Sequence, residues 1–426
     1  MIRDWRSRGP QLAHVWNAFP RRFFVRARDT GASSDDPCEA DADNTFHATL
    51  DPYASSTGYY KFTECGDTPM PVLAMERGVT YKFDQSDASN WYHPLGFAYY
   101  ADGAHKGVDE LEPGISQSGS MCVDDNTCQA PMYYKDGAFL GEDGYDNTKP
   151  NNLQGGEDFG LDFYEPEFFY TREHWSEAVY HVEVTISDTE YAGDLFYFCH
   201  IHNWMSGRIK VTDGGAKVQN RDDPELGYEL ETPSTYDASC GTYGVSEYQE
   251  DSGKCDDLFV CTEGDESRAQ KDFGECLYAM DCHMNYHMKT ILNEESPVAT
   301  FMHQMIPHHQ NAVNMAKALL KTGALDAESE ADAEVIDILW GIINIQNKQN
   351  HVFEQYLADH GYAAEAHCSR DDATWHKRGD TAKDCAWVGK FLPIRCAVKG
   401  ADGTTAQESC AGTCDGQEES SDSSED

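Results

Sequence analysis

Apolar runs the length of single strands recur at Val72 to Met75, Val79 to Phe83, Ala178 to Ser187, Leu195 to Phe198 and Arg208 to Thr212, with polar turn residues between them. Between about 101 and 177 the pattern lapses into a long Gly-, Asp- and Tyr-rich stretch. From 271 to 361 the spacing becomes helical. Ser296 followed by Pro297 is a helix start, and Gly323 ends that segment. A third helix is predicted from about Glu328 to His360, with Gly361 as its stop. The expected fold class is multidomain, a β region followed by an α region.

The chain divides into seven pieces on this pattern. Residues 1–28 carry seven Arg, almost no acid and no apolar h-region, which predicts a transit-type presequence or a misplaced gene start. Residues 29–67 read as a polar, disulfide-anchored segment, 68–214 as the strand-rich domain, and 215–270 as an irregular linker stapled by Cys240, Cys255 and Cys261. The helical domain is 271–362, a Cys-rich segment follows at 363–414, and the acidic Ser-rich tail at 415–426 is expected to be disordered.

Within the strand-rich domain, Cys199, His202 and Met205 stand at Cys-x-x-His-x-x-Met spacing between apolar strands. A thiolate, an imidazole and a thioether suit one copper ion cycling between Cu(I) and Cu(II), and His93 supplies the second imidazole from a distant strand. The competing reading makes Cys199 a disulfide half or a buried small hydrophobe. His200 is expected to face away from the metal, because neighbouring strand residues point to opposite faces. The run Trp91-Tyr92-His93-Pro94-Leu95-Gly96-Phe97 resembles the upstream ligand segment of cupredoxins, and the downstream spacing is similar to the amicyanin type. The resemblance covers about residues 68 to 214. It implies a Greek-key β-sandwich with a type 1 copper held by His93, Cys199 and His202, and by Met205 weakly along the axis.

A second ligand-rich region follows. Met280, His283, Met284, His287 and Met288 fall at i, i+3, i+4, i+7 and i+8, one face of a helix. The next helix adds Met302, His303, Met305, His308, His309 and Met315. A Met stripe at this spacing ordinarily packs a core, the default for Met315 and Met302, but interleaved His suits Cu(I). The run from Phe301 to Ala316, with Met305-Ile306-Pro307-His308-His309-Gln310 at its centre, resembles the signature of a ferritin-like copper-binding domain of unknown function found in bacterial periplasmic copper-binding proteins. That resemblance extends from about Cys276 to Gly361. It implies an antiparallel helical bundle taking up copper through His283, His287, Met288, Met305, His308, His309 and Met315, with Met280, Met284, Met302 and His303 less well placed. Phe353 stands where that family usually has Met, and Gln349 where an acidic residue is common. His351 reads as a solvated helix-face residue. Pro307, inside the helical pattern, predicts a kink that aims His308 and His309.

Charge and cysteines set the surroundings. A net charge of −43 argues against nucleic acid or an anionic membrane as partner and favours cations, basic proteins or life in salty water; with the ligand residues above, the expected partners are copper ions and a basic redox protein. Removing Cys199 from 15 cysteines leaves enough for seven disulfides, which implies a secreted, extracellular or lumenal oxidising compartment. No paired Cys-x-x-Cys motif supports a zinc module. No apolar stretch is long enough to span a membrane. The expected function is electron transfer at a type 1 copper coupled to copper sequestration or delivery by the helical domain. The rivals are a pure electron-transfer protein with a helical docking domain, a copper oxidase, for which only His200-Ile201-His202 has the needed His-x-His form, and an acidic structural protein.

Overall fold

The computed structural model describes residues 36–106, 110–111, 131–141, 160–186, 193–218, 225–255, 257–262, 264–292, 296–366, 375–391, 394–410 and 414. The expectations for 1–28 and 415–426, and those for Cys122, Cys128 and Cys368, lie outside these residues. All the described residues belong to one compact unit, Gly31–Asp426.

The strands are β1 Thr45–Asp51, β2 Tyr59–Phe62, β3 Leu73–Glu76, β4 Thr80–Asp84, β5 Leu95–Ala98, β6 Met132–Lys135, β7 Ala138–Phe139, β8 Tyr180–Thr185, β9 Leu195–Cys199, β10 Ser206–Asp213 and β11 Ala216–Lys217. One sheet has the order β2-β1-β4-β8-β6-β7, and the other runs β11-β10-β9-β5 with β3 beside β10. Both are mixed: β1 with β4 and β3 with β10 are parallel, and the other pairs are antiparallel. Alternation along β1 buries Phe46, Ala48 and Leu50 and exposes His47. The sheets share one core, where Phe83 of β4 meets Phe97 of β5 at 4.8 Å and Phe62 of β2 meets Tyr197 of β9 at 5.2 Å. Such edge-on pairs contribute about 0.5–1.5 kcal/mol each beyond area burial. Strand β9 is buried along its whole length, because both of its faces are covered. Leu195, Tyr197 and Cys199 face the core, while Phe196 lies under the Arg208 guanidinium and Phe198 against His105.

One boundary and the reading of one insertion differ from expectation. The sheet begins at Thr45, inside the segment read as merely disulfide-anchored, since Phe46, Ala48, Leu50, Tyr60 and Phe62 all enter the core. The described parts of the stretch from 101 to 177 also belong to the fold. They supply β6 to the first sheet, and α1 Leu161–Tyr164, a 3₁₀ turn Glu165–Phe169 and α2 Arg172–Trp175 bury Tyr164, Phe168 and Trp175 completely.

After the short helix α3 Thr235–Cys240 come α4 Arg268–His287, α5 Pro297–Lys321 and α6 Glu330–Asp359. A capping box between Ser267 and Gln270 opens α4. Ser296 caps α5 with Pro297 in its first turn, as the sequence predicts, and Gly323 and Gly361 adopt positive φ beyond the ends of α5 and α6. Pro307 is buried inside α5, which continues through it as one element. Helix α5 packs against both α4 and α6.

Disulfides join Cys38–Cys65, Cys240–Cys276, Cys255–Cys282, Cys385–Cys410 and Cys396–Cys414. Cys240 and Cys255 therefore tie the linker onto α4 rather than closing it on itself. Cys261, expected as a third staple, is exposed and unpaired, so Cys199 is not the sole free thiol. The two bridges near the C-terminal end sit in a small separate core with Trp375 and Val388. These bridges fit an oxidising compartment. Among the described residues, no helix is long and apolar enough to cross a membrane.

The helices meet the sheets largely through buried polar groups. Lys317 of α5, fully buried, donates to the Ser55 and Ser56 carbonyls at 2.8 and 2.7 Å, and Asn347 of α6 donates to Ser56 O at 3.1 Å. Arg172 pairs with Asp337 at 2.8 Å, and Trp340 packs against the sheet core.

Candidate metal centre

His93, Cys199 and His202 are brought together at the end of the two sheets nearest α6. Cys199 ends β9, and the following loop returns so that the Cys199 N–H donates to Met205 O at 3.2 Å before β10 begins. Trp204 turns that loop in a left-handed conformation, with φ 63°. Gly207, just beyond, accommodates the Tyr197 ring, which a Cβ there would strike. His93 follows a 3₁₀ turn, Ala88–Asn90, and a left-handed Tyr92 at φ 71°. Strain of this kind persists only where the surroundings over-determine the backbone. Here three contacts do so. The His93 carbonyl accepts from Tyr60 Oη and Gln85 Nε2, both at 2.8 Å, and the His93 N–H donates to Asn90 O at 2.8 Å. Gln85 also accepts from Leu95 N–H and Tyr164 Oη, so α1 helps to fix the histidine's segment.

The donor atoms converge. Cys199 Sγ lies 3.6 Å from His93 Nδ1 and 3.7 Å from His202 Nδ1, and the two nitrogens are 3.2 Å apart. A point in the plane of the three atoms is about 2 Å from each, which is metal–imidazole and metal–thiolate bonding range. All three side chains are essentially fully buried, as is Met205 further along the loop. Burial pushes His93 down to about 3 and His202 well below the usual imidazole range, so both rings are neutral and each has a nitrogen lone pair to offer. Burial pushes the Cys199 thiol up to about 11, against the Ile201 and His202 amides that donate to its sulfur at 3.4 Å. A bound cation would supply the charge that these amides offer only in part. The donor set thus fits a metal ion, with sulfur softness favouring a soft or borderline one.

The His202 ring is held from α6, where its Nε2 is 3.0 Å from Asn344 O, and His93 Nε2 is 3.1 Å from Asn344 Oδ1. His351, read from sequence as solvated, instead accepts the Asn203 N–H at 3.1 Å and meets the His202 ring edge-on at 5.9 Å. His200 is turned away from Cys199 Sγ, as alternation predicts. It lies against Phe198, 3.4 Å from Glu110, over Gly96, whose hydrogen leaves the space that a Cβ would fill.

The His and Met residues of the helices are distributed differently. His283 and His287 lie ring to ring at 4.5 Å, and Tyr248 Oη is 2.7 Å from His287 Nε2. Asn311 places its amide 3.3 Å from Met284 Sδ and 3.7 Å from Met315 Sδ, which brings those two sulfurs to one spot between α4 and α5. His309 is buried, bonded to Asn350 Oδ1 at 3.2 Å and stacked on Phe353, whereas His308 is exposed. His303 is bonded to Ala363 O, Met280 and Met302 pack in apolar cores, and Met288 and Met305 are half-buried. Among the described residues, only two groups place three His, Cys or carboxylate donors close enough to share an ion, and neither lies on these helices. The second, Asp41, His47 and Glu64, is at the surface, where the His47–Glu64 contact and main-chain hydrogen bonds to Asp41 account for it.

Sequence reasoning missed the α6 residues. The signal was present: Asn344, Asn347 and Asn350 recur at i, i+3 and i+6, and all three are buried. Buried amides on a helix face need partners, which here are His93, Ser56 and His309. Compared with protein-family models, curated proteins and solved structures, the chain gave no match.

Proposed function

We propose that the chain is a copper protein in which a cupredoxin-like, Greek-key β-sandwich carries a type 1 electron-transfer centre, coupled to a His- and Met-bearing helical bundle that sequesters or delivers copper. The observation that carries this reading is the buried triangle of His93 Nδ1, Cys199 Sγ and His202 Nδ1, with the Met205 side chain buried further along the same loop. Two imidazoles, a thiolate and a thioether suit copper in both oxidation states, and copper there supplies one-electron exchange. The protein's part is to bury the site against water, to fix both rings from behind, and to hold the sulfur with two amide donors. A closed, preformed donor set of this kind favours electron movement over substrate chemistry, since no open face is left for a substrate. For the helices, the supporting observations are the His283/His287 pair and the convergence of Met284 and Met315 on Asn311. The pairing of other helical histidines with protein acceptors favours a second reading, in which the helical region mainly scaffolds the sandwich site.

The test is to load the full chain with Cu(II) and record its visible spectrum and copper content. An intense thiolate-to-copper charge-transfer band at one equivalent is expected, and a colourless copper-loaded protein would sink the assignment.

A further inference from the structure

We infer that Asn344, a residue of the helical region, is a positioning residue for the sandwich metal centre, selecting the tautomer of both histidine ligands before any metal arrives. The inference rests on the reading that a metal occupies the His93, Cys199 and His202 triangle. A neutral imidazole has one N–H and one lone pair, and whichever nitrogen faces an obligate acceptor must carry the proton. His202 Nε2 faces the main-chain carbonyl of Asn344 at 3.0 Å, and a carbonyl oxygen can only accept. His93 Nε2 faces the Asn344 side chain at 3.1 Å, and the amide's orientation is fixed from its other end, where Nδ2 donates to Trp91 O at 3.1 Å. Oδ1 therefore points at His93, and His93 too must carry its proton on Nε2.

The consequence lies on the opposite edge of each ring. Both Nδ1 atoms are then bare lone pairs, 3.2 Å apart with no hydrogen between them, and the Cys199 sulfur completes the triangle. Two acceptors held at that separation repel unless a cation lies between them, and Asn344 is fully buried, so water cannot take over its role. One residue, 142 positions after His202 and 251 after His93, thus commits both rings to the donor form a metal needs. It also occupies their outer edges. An external partner cannot touch either imidazole without displacing α6.

The experiment reads tautomers in the metal-free full chain by long-range ¹H–¹⁵N correlation of the histidine rings. In the wild type, His93 and His202 should both be Nε2–H. Asn344→Leu keeps the main-chain carbonyl but removes the side-chain acceptor, so His93 should become a tautomer mixture while His202 is unchanged. Asn344→Asp, which restores an acceptor, should return His93 to Nε2–H. Asn347→Leu, equally buried on the same helix but remote from the rings, should leave both tautomers as in the wild type and so separates positioning from weakened docking. Titration with Cu(II) should show binding weakened about 10–100-fold in Asn344→Leu. An Nδ1–H tautomer at His93 in the wild type overturns the inference, even if the leucine variant does not fold, and so does an unaltered His93 tautomer in that variant. These readings do not depend on copper. A wild type that shows them and yet stays colourless when loaded supports the positioning role and counts against copper alone.

Discussion

The sandwich and the helices both carry histidine and sulfur ligands at suggestive spacing, yet they use them differently. In the sandwich, three donor atoms from two separate strand ends point at one spot, and their remaining polar atoms are taken up behind them by Asn344. In the helices, His303 and His309 spend a ring nitrogen on Ala363 O and Asn350, while Met280 and Met302 fill apolar cores. Spacing on one helix face brings side chains to a common side. Only packing across elements turns that side into a closed site.

The sharpest way to break this contrast is Cys199→Ser. Removing the thiolate should abolish the visible band of the Cu(II)-loaded chain outright, while Met205→Gln should keep the band and lower the reduction potential. A band that survives Cys199→Ser would place the chromophore elsewhere. Next in size, in a Cys199→Ser background that silences the sandwich, the paired change His283→Ala and His287→Ala should weaken Cu(I) binding by roughly 10–100-fold while leaving Zn(II) binding weak throughout. Equal Cu(I) affinity with and without the pair in competition titrations would leave the helices as scaffold only.

A smaller effect concerns the junction between the two regions. Burial pushes Lys317 down to about 7, opposed by the charges of Asp51 and Glu231, whereas in the unfolded chain its amine titrates near 10.4. Between those values the unfolded chain binds more protons than the folded one. Stability should therefore rise with pH from about 7 to about 10, by an amount on the order of a few kcal/mol, and that gain should be lost as pH falls through the folded value. Denaturant midpoints across this window test it, and Lys317→Met should flatten the slope. The smallest effect is chemical. Cys261, exposed and unpaired, should react with a thiol reagent in the native protein, while buried Cys199 should react only after unfolding. Equal labelling of both would mean that the sandwich end is open.

Much of this was legible in the chain. The grouping of His93, Cys199 and His202 was legible because soft and imidazole donors at this spacing have few other uses, and the ends of α5 and α6 followed from Ser296, Pro297, Gly323 and Gly361. Strand β1 was obscured because Phe46, Ala48 and Leu50 alternate within a run otherwise rich in Asp, Thr and Ala. The role of the 101–177 stretch depended on where Tyr164 and Trp175 are buried, and composition does not report burial. Asn344 was the hardest to see, since its partners lie hundreds of positions earlier and only the fold brings them together.

That last contact gives the centre a timetable. A chain made from its N-terminus at about 5–20 residues per second presents His202 roughly 7–28 s before the residue that will orient its ring. For most of that interval, once β10 and β11 have followed, the sheets have their strands, but the two imidazoles have not yet been told which nitrogen to protonate. The centre is complete only once α6 has been made and has docked, so on the proposed reading orderly metal uptake belongs to the finished protein rather than to the nascent one.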